Sequence, residues 1–212
     1  MTSSNDCKIA AIINVYNDAQ FLERTLESLK EKVEPELIII ADGAYEKFPH
    51  DWAQSTDGTY ELAKREADIF LRCDMDSPWK GEAHKRNALL SAVPQGWWAL
   101  RIDGDEEIEK FDTSQLDRDE DVIIAKMKNY KDPDTVDTER QRSVIFKPEH
   151  DWYYKEKDAL FKGSKSIAQL KRVSTEQIVF GHHPYARPDD RLDKRMEYRD
   201  RIDQHSKDPR DR

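Results

Sequence analysis

Two carboxylates at a spacing of two, Asp103 and Asp105, stand in the run "WWALRIDGDEE", residues 97–107. There an apolar stretch of strand composition ends in Asp103, Asp105, Glu106 and Glu107, with Gly104 among them. In an extended segment, residues two apart point the same way. Two hard oxygen ligands so placed suit a divalent cation, Mg²⁺ or Mn²⁺, whose remaining positions go to water and phosphate. Such a cation would let an acidic chain hold a diphosphate. A solvated acidic turn is the plain alternative.

The elements that must position these residues are legible from periodicity. "KIAAIINV" (8–15), "ELIIIADG" (36–43), "DIFLRC" (68–73) and "WWALRID" (97–103) read as four strands. Between them lie three helical stretches. The first carries the stripe Ala19, Leu22, Leu26, Leu29 and Val33, with Asn17 and Gln20 placed for a capping box. "YELAKREA" is the second, open to capping by Ser55, Thr56 or Asp57, and "EAHKRNALLSAV" is the third, stopped by Pro94-Gln95-Gly96. Strands alternating with helices imply an α/β fold with a parallel sheet covered on both faces. Ligands of such sheets bind at the carboxyl ends of the strands, where Asp42 and Asp103 fall. Beyond residue 110, "DVIIAKMKNY" (121–130) and "RSVIFKP" (142–148) read as strands joined by a polar loop, with shorter extended pieces in "WYYKEKDALF" and "TEQIVFGHHP". This organises the chain as one domain of two halves, 1–110 and 111–185, with a charged helix or tail at 186–212.

Composition narrows the class. The 212 residues include 35 Lys and Arg against 44 Asp and Glu, a formal charge of −9, which disfavours nucleic acid and anionic lipid as partners. Cys7 and Cys73 are too few for a disulfide framework. No apolar run approaches the ~18 residues of a membrane span, and "MTSSNDCK" lacks a signal-peptide core. The expected location is the cytoplasm, peripheral to a membrane if the substrate is a lipid.

Four motifs in order resemble the family 2 glycosyltransferases. "NVYNDAQFLERTLESL" is similar to the family's first strand and P-V-Y-N-E-type turn. "IIIADGAYE" with "STDGTYELAKR" resembles its D-D-G-S turn and S-x-D-G-T, with Ala41 where the family often has a first Asp and residues 44–54 inserted between. "KGEAHKRNALL" looks like its basic R-N helix, and "RIDGDEE" like its D-x-D. The resemblance implies a GT-A fold, the Rossmann-like fold of nucleotide-diphospho-sugar transferases, with a mixed, mostly parallel central sheet flanked by helices.

It further implies a metal-dependent, inverting transferase (hexosyltransferase class), moving a sugar from a nucleoside diphosphate sugar, UDP-sugar favoured over GDP-sugar, to a hydroxyl on a glycan, lipid or protein acceptor. By that resemblance Val15 and Tyr16 lie against the base and Asp42 on its polar edge, where a carboxylate accepts a base N–H. Arg86 lies near the base or diphosphate, Asp103 holds the ribose hydroxyls, and Asp105 binds the Mn²⁺ or Mg²⁺. "IVFGHHPYARP" is similar to an H-x-G-Y segment whose His completes the metal site, assigned to His182 with His183 as rival. The catalytic base is assigned to Asp158, with Glu156 as alternative. Donor selectivity is expected in 74–82 and 131–141. An inactive nucleotide-binding module of the same fold is the rival from another class. A D-x-D phosphatase would carry its motif after the first strand, and a sugar nucleotidyltransferase would carry a Gly-rich loop there; "NVYND" is neither.

Overall fold

A computed structural model of the protein describes residues 7–46, 48, 50–117, 119–155 and 159–183. Asp158, Glu156 and the charged segment 186–212 lie outside the described residues.

The first half follows the alternating pattern: β1 (Ile9–Val15), α1 (Ala19–Lys32), β2 (Leu37–Asp42), α2 (Thr59–Glu66), β3 (Ile69–Arg72), α3 (Glu82–Ser91) and β4 (Trp98–Asp103). The strands run parallel in the order β3-β2-β1-β4. Strand order reverses between β1 and β4, which opens a crevice at their carboxyl ends. β1 is buried at every position except Asn14, because helices cover both faces. α1 buries Phe21, Leu22, Leu26 and Leu29 on one stripe, and Lys30 and Lys32 complement the dipole of its last turn. The Asn17–Gln20 capping box does not form. Asp18 is the N-cap, without a side-chain cap bond, and Asn17 takes a left-handed φ of 49°. Asn tolerates that region, and its Oδ1 instead accepts from the Thr56 N–H at 2.8 Å, tying the turn after β1 to the loop before α2.

The second half contains β5 (Glu106–Phe111), β6 (Val122–Asp132), β7 (Thr135–Phe146), β8 (Trp152–Tyr154), β9 (Leu160–Lys162), β10 (Lys165–Ser166) and β11 (Arg172–His182). The main sheet continues β4-β7-β6-β11-β5, with β7 antiparallel to β4 and β6, β11 parallel to β6, and β5 antiparallel to β11. The fold is therefore α/β with a mixed, mostly parallel central sheet of eight strands flanked by helices. β5 is a strand that the acidic composition concealed: its inward residues are Glu106 and Ile108. The polar stretch expected as a loop at 131–141 is the end of a long β6–β7 hairpin, whose polar residues suit a ribbon solvated on both sides.

One core lies on the α1/α2 side, with Ile13, Ile40, Ile102, Leu22 and Phe180. The other lies under α3 and the small β8–β9–β10 sheet, with Ile12, Ile39, Leu89, Phe146 and Trp152. Trp98 is core, whereas Trp97 is half-exposed beneath the Lys8 ammonium. Among the described residues no helix is long and apolar enough to cross a membrane.

Candidate active site

The acidic run is a tight turn rather than an extended segment. β4 ends at Asp103, Gly104 and Asp105 form the turn, and Glu106 opens β5. Thr25 on α1 holds the turn from below, its Oγ 3.0 Å from the Gly104 carbonyl and 2.7 Å from that of Glu106. Gly104 is required by close approach: a Cβ there would lie 2.8 Å from Val15 Cγ1 and 3.3 Å from Asp18. Because the chain turns, Asp103 and Asp105 meet different partners.

Asp105 is buried, and its Oδ2 lies 2.9 Å from His182 Nε2 at the end of β11. The other ring nitrogen, Nδ1, faces Asn129 Oδ1 at 3.0 Å, and Asn129 Nδ2 donates to Thr138 Oγ1 at 3.0 Å. That chain orients the Asn129 amide so that Nδ1 donates to its Oδ1, and the 2.9 Å approach of Nε2 to the carboxylate, two acceptors, then calls for a shared proton or a cation between them. A ligating His is commonly fixed in this way by an outer hydrogen bond. The imidazole and carboxylate fit a borderline to hard divalent cation such as Mn²⁺ or Mg²⁺. Among the described residues no group of three or more His, Cys, Asp or Glu converges on a metal position. His183 turns elsewhere: its ring stacks on Tyr130 at 4.7 Å and its Nε2 lies 3.4 Å from Glu107. Burial lowers its pKa.

Asp103 sits between two guanidiniums. Arg86 on α3 reaches Oδ1 at 3.2 Å and Arg142 on β7 reaches Oδ2 at 2.7 Å. Arg86 also pairs with Glu82, and Arg142 with the buried Glu106, whose Oε2 accepts from the Asp103 N–H. Burial opposes ionisation of Asp103, but Arg86 and Arg142 override it and hold the carboxyl well below the usual range. The motif residue after Arg86 also has a structural task. Asn87 clamps the Tyr154 backbone, accepting from its N–H at 2.6 Å and donating to its carbonyl at 2.9 Å. The Arg86 guanidinium lies 5.9 Å from the Tyr154 ring. The Lys155 N–H reaches the Ala159 carbonyl at 3.0 Å.

At the ends of β1 and β2 the Val15 side chain is core, and Tyr16 is half-buried, its hydroxyl on the Trp52 carbonyl at 2.8 Å and its ring edge-on to Phe48. Phe48 and Trp52 of the 44–54 insertion therefore pack on Tyr16. Asp42 is fully buried and accepts from both the hydroxyl and the N–H of Ser55. Burial raises its pKa, while Lys85 and Ser55 oppose the rise. Lys85 on α3 is completely buried, with Nζ on the Val15 carbonyl at 2.6 Å and the Gly43 carbonyl at 2.8 Å. Gly43 has φ 120°, and a Cβ there would lie 2.4 Å from Cys73 Sγ, so only glycine fits.

Sequence reasoning did not single out Arg142, Asn129 or Lys85. Arg142 and Asn129 sit in polar hairpin sequence with no local signal, whereas Lys85 lies inside the quoted helix motif, one residue before Arg86.

No protein-family model matches the chain, and no curated protein matches it. Among solved structures it is similar to S. aureus TarS 1–349, at 21% identity and a TM-score of 0.46, over 60% of this chain and 38% of that one. It is also similar to glucosyl-3-phosphoglycerate synthase from Mycobacterium tuberculosis in complex with Mn²⁺, UDP and glucosyl-3-phosphoglycerate, at 17% identity and a TM-score of 0.42, over 59% of this chain and 45% of that one. HddC from Yersinia pseudotuberculosis matches at 13% identity and a TM-score of 0.46, over 92% of this chain and 99% of that one. The match spans less than half the length of the first two proteins.

Proposed function

We propose that the protein is a metal-dependent, inverting glycosyltransferase of the GT-A fold that moves a sugar from a nucleoside diphosphate sugar, UDP-sugar favoured, to an acceptor hydroxyl. The observation that carries this reading is the Asp105–His182 pair, with Nε2 and Oδ2 2.9 Å apart and the ring fixed by Asn129, beside the carboxyl ends of the sheet. The four ordered motifs of the sequence support it independently.

Asp105 and His182 would hold Mn²⁺ or Mg²⁺, which when bound would supply charge neutralisation to the departing diphosphate. The turn at Val15 and Tyr16, with Asp42, would meet the base at the carboxyl ends of β1 and β2. Asp103, kept ionised by its two arginines, would accept the ribose hydroxyls, and Arg86 would stand near the phosphates. The acceptor proton is assigned to Asp158, with Glu156 as alternative. Attack from the face opposite the leaving group inverts the anomeric carbon.

Calorimetric titration of UDP and of GDP, with and without Mn²⁺, tests the reading. Manganese-dependent UDP binding supports it, and a preference for GDP redirects the donor to a GDP-sugar. Absence of binding to either nucleotide, with or without metal, removes the transferase.

A further inference from the structure

The buried ammonium of Lys85 takes no part in the chemistry proposed above, yet burying a charge there is costly relative to an apolar side chain. Its surroundings indicate what it does. Nζ donates to the carbonyls of Val15, the last residue of β1, and of Gly43, the first residue past β2. Those two turns are also joined directly, the Gly43 N–H reaching the Val15 carbonyl at 3.2 Å. The Tyr45 ring lies 5.5 Å from Nζ, an additional cation–π contact. The titratable groups around it are Asp42 from β2, Asp18 from the turn before α1, the Cys73 thiol after β3, and Arg86 on its own helix. Carbonyls, a ring face and nearby carboxylates are the environment of a small bound cation, here supplied by a side chain.

We propose that Lys85 is a positioning residue for the nucleotide base: it locks the carboxyl ends of β1 and β2 at one separation and thereby sets Tyr16 against Asp42. This rests on the function proposed above, which puts the base against Val15, Tyr16 and Asp42. Tyr16 follows the Val15 carbonyl directly and Asp42 precedes Gly43, so both residues assigned to the base are one peptide from a carbonyl that Lys85 holds. The Asp42 side chain points to Ser55, and its backbone carbonyl takes the Trp79 indole N–H at 2.7 Å, so this strand end is restrained from α3 and from the preceding loop alike. Removing the ammonium leaves the Gly43 carbonyl without this donor and the Asp42 charge without its counter-charge.

The test compares two ligands that share phosphates and differ in the base. Calorimetry with Mn²⁺ measures UDP and inorganic pyrophosphate on wild type, Lys85→Met, Asp42→Asn and the double variant. Lys85→Met is expected to weaken UDP by about tenfold or more through lost preorganisation, while pyrophosphate binds as to wild type. Should the single variant fail to fold, the double variant, which has no unpaired buried charge, is expected to bind UDP more weakly than Asp42→Asn alone. Equal losses for both ligands would make Lys85 a general structural residue and overturn the proposal, as would unchanged UDP affinity in a folded variant. Wild type that binds neither ligand would bring down the proposed function itself, a different result from wild type that binds both and a variant that does the same.

Discussion

Asp105 and His182 are 77 positions apart in the chain and 2.9 Å apart in space, and Asn129 on a third strand fixes the imidazole between them. The register explains the meeting. β11 lies between β6 and β5, pairing His182 with Asn129 on one side and with Glu106 on the other, one residue past Asp105. Asp105→Ala and His182→Gln should each abolish manganese-dependent nucleotide binding while leaving the melting transition cooperative. Asn129→Ala removes the orienting bond, together with the Asn129–Thr138 bond that holds it, and should weaken Mn²⁺ affinity by about 10–100-fold. Calorimetric titration of Mn²⁺ checks all three, and wild-type affinity in Asp105→Ala would sink the metal assignment.

Arg142 joins the two halves of the sheet through Asp103 and Glu106. Arg142→Met strips one partner from a buried network and should cost about 3–5 kcal/mol in urea unfolding at pH 7. The pH dependence has a defined sign. The native pKa of Asp103 lies well below its ordinary 3.8, so its contribution is complete above about pH 4 and is lost as pH falls through the depressed native value. Without Arg142 that native value rises, and acid unfolding should move to higher pH. An unchanged acid midpoint would remove Arg142 from this role.

The Asp103–Asp105 turn admits no side chain at its middle. Gly104→Ala should destabilise by about 1–3 kcal/mol, since the methyl meets Val15 and Asp18. It should also reduce Mn²⁺ binding, because the turn cannot yield without moving Asp105. Paired melts and Mn²⁺ titrations read the two effects separately.

Lys85 makes stability rise at alkaline pH. Burial lowers its native pKa to about 8 from an ordinary 10.5, with Asp42 opposing. Between those values the unfolded chain binds a proton that the native state has released, so stability increases as pH rises from about 8 to about 10.5 and falls again as pH drops through the native value. Lys85→Met lacks this increment. The difference between the two proteins in urea midpoints at pH 7.5 and pH 10 isolates it from the other lysines.

Much of the first half was legible because its signals are local. Four apolar runs bounded by turns, and helical stripes between them, announced β1 to β4 and α1 to α3 within one or two residues. The placement of Asp42 and Asp103 followed from a rule about strand ends. Where the reading failed, a polar residue held an inward position or a left-handed turn intervened. β5 was hidden because Glu106 faces inward to an arginine 36 positions away, and the long hairpin was hidden because its tip is solvated on both faces. The capping box at Asn17 gave way because the turn required that residue's backbone to be left-handed.

By itself the sequence determined the alternation of strands and helices, the glycines at 43 and 104, and the carboxylates at the ends of β2 and β4. Only the tertiary structure decided that His182 rather than His183 faces Asp105, that Asp103 lies between Arg86 and Arg142, and that a lysine fills the space beneath the ends of β1 and β2. The division has a physical cause. Side-chain alternation within an element is set by backbone geometry over a few residues, whereas the partners of a buried charge are set by strand order and register, which depend on how apolar faces from distant segments are buried together.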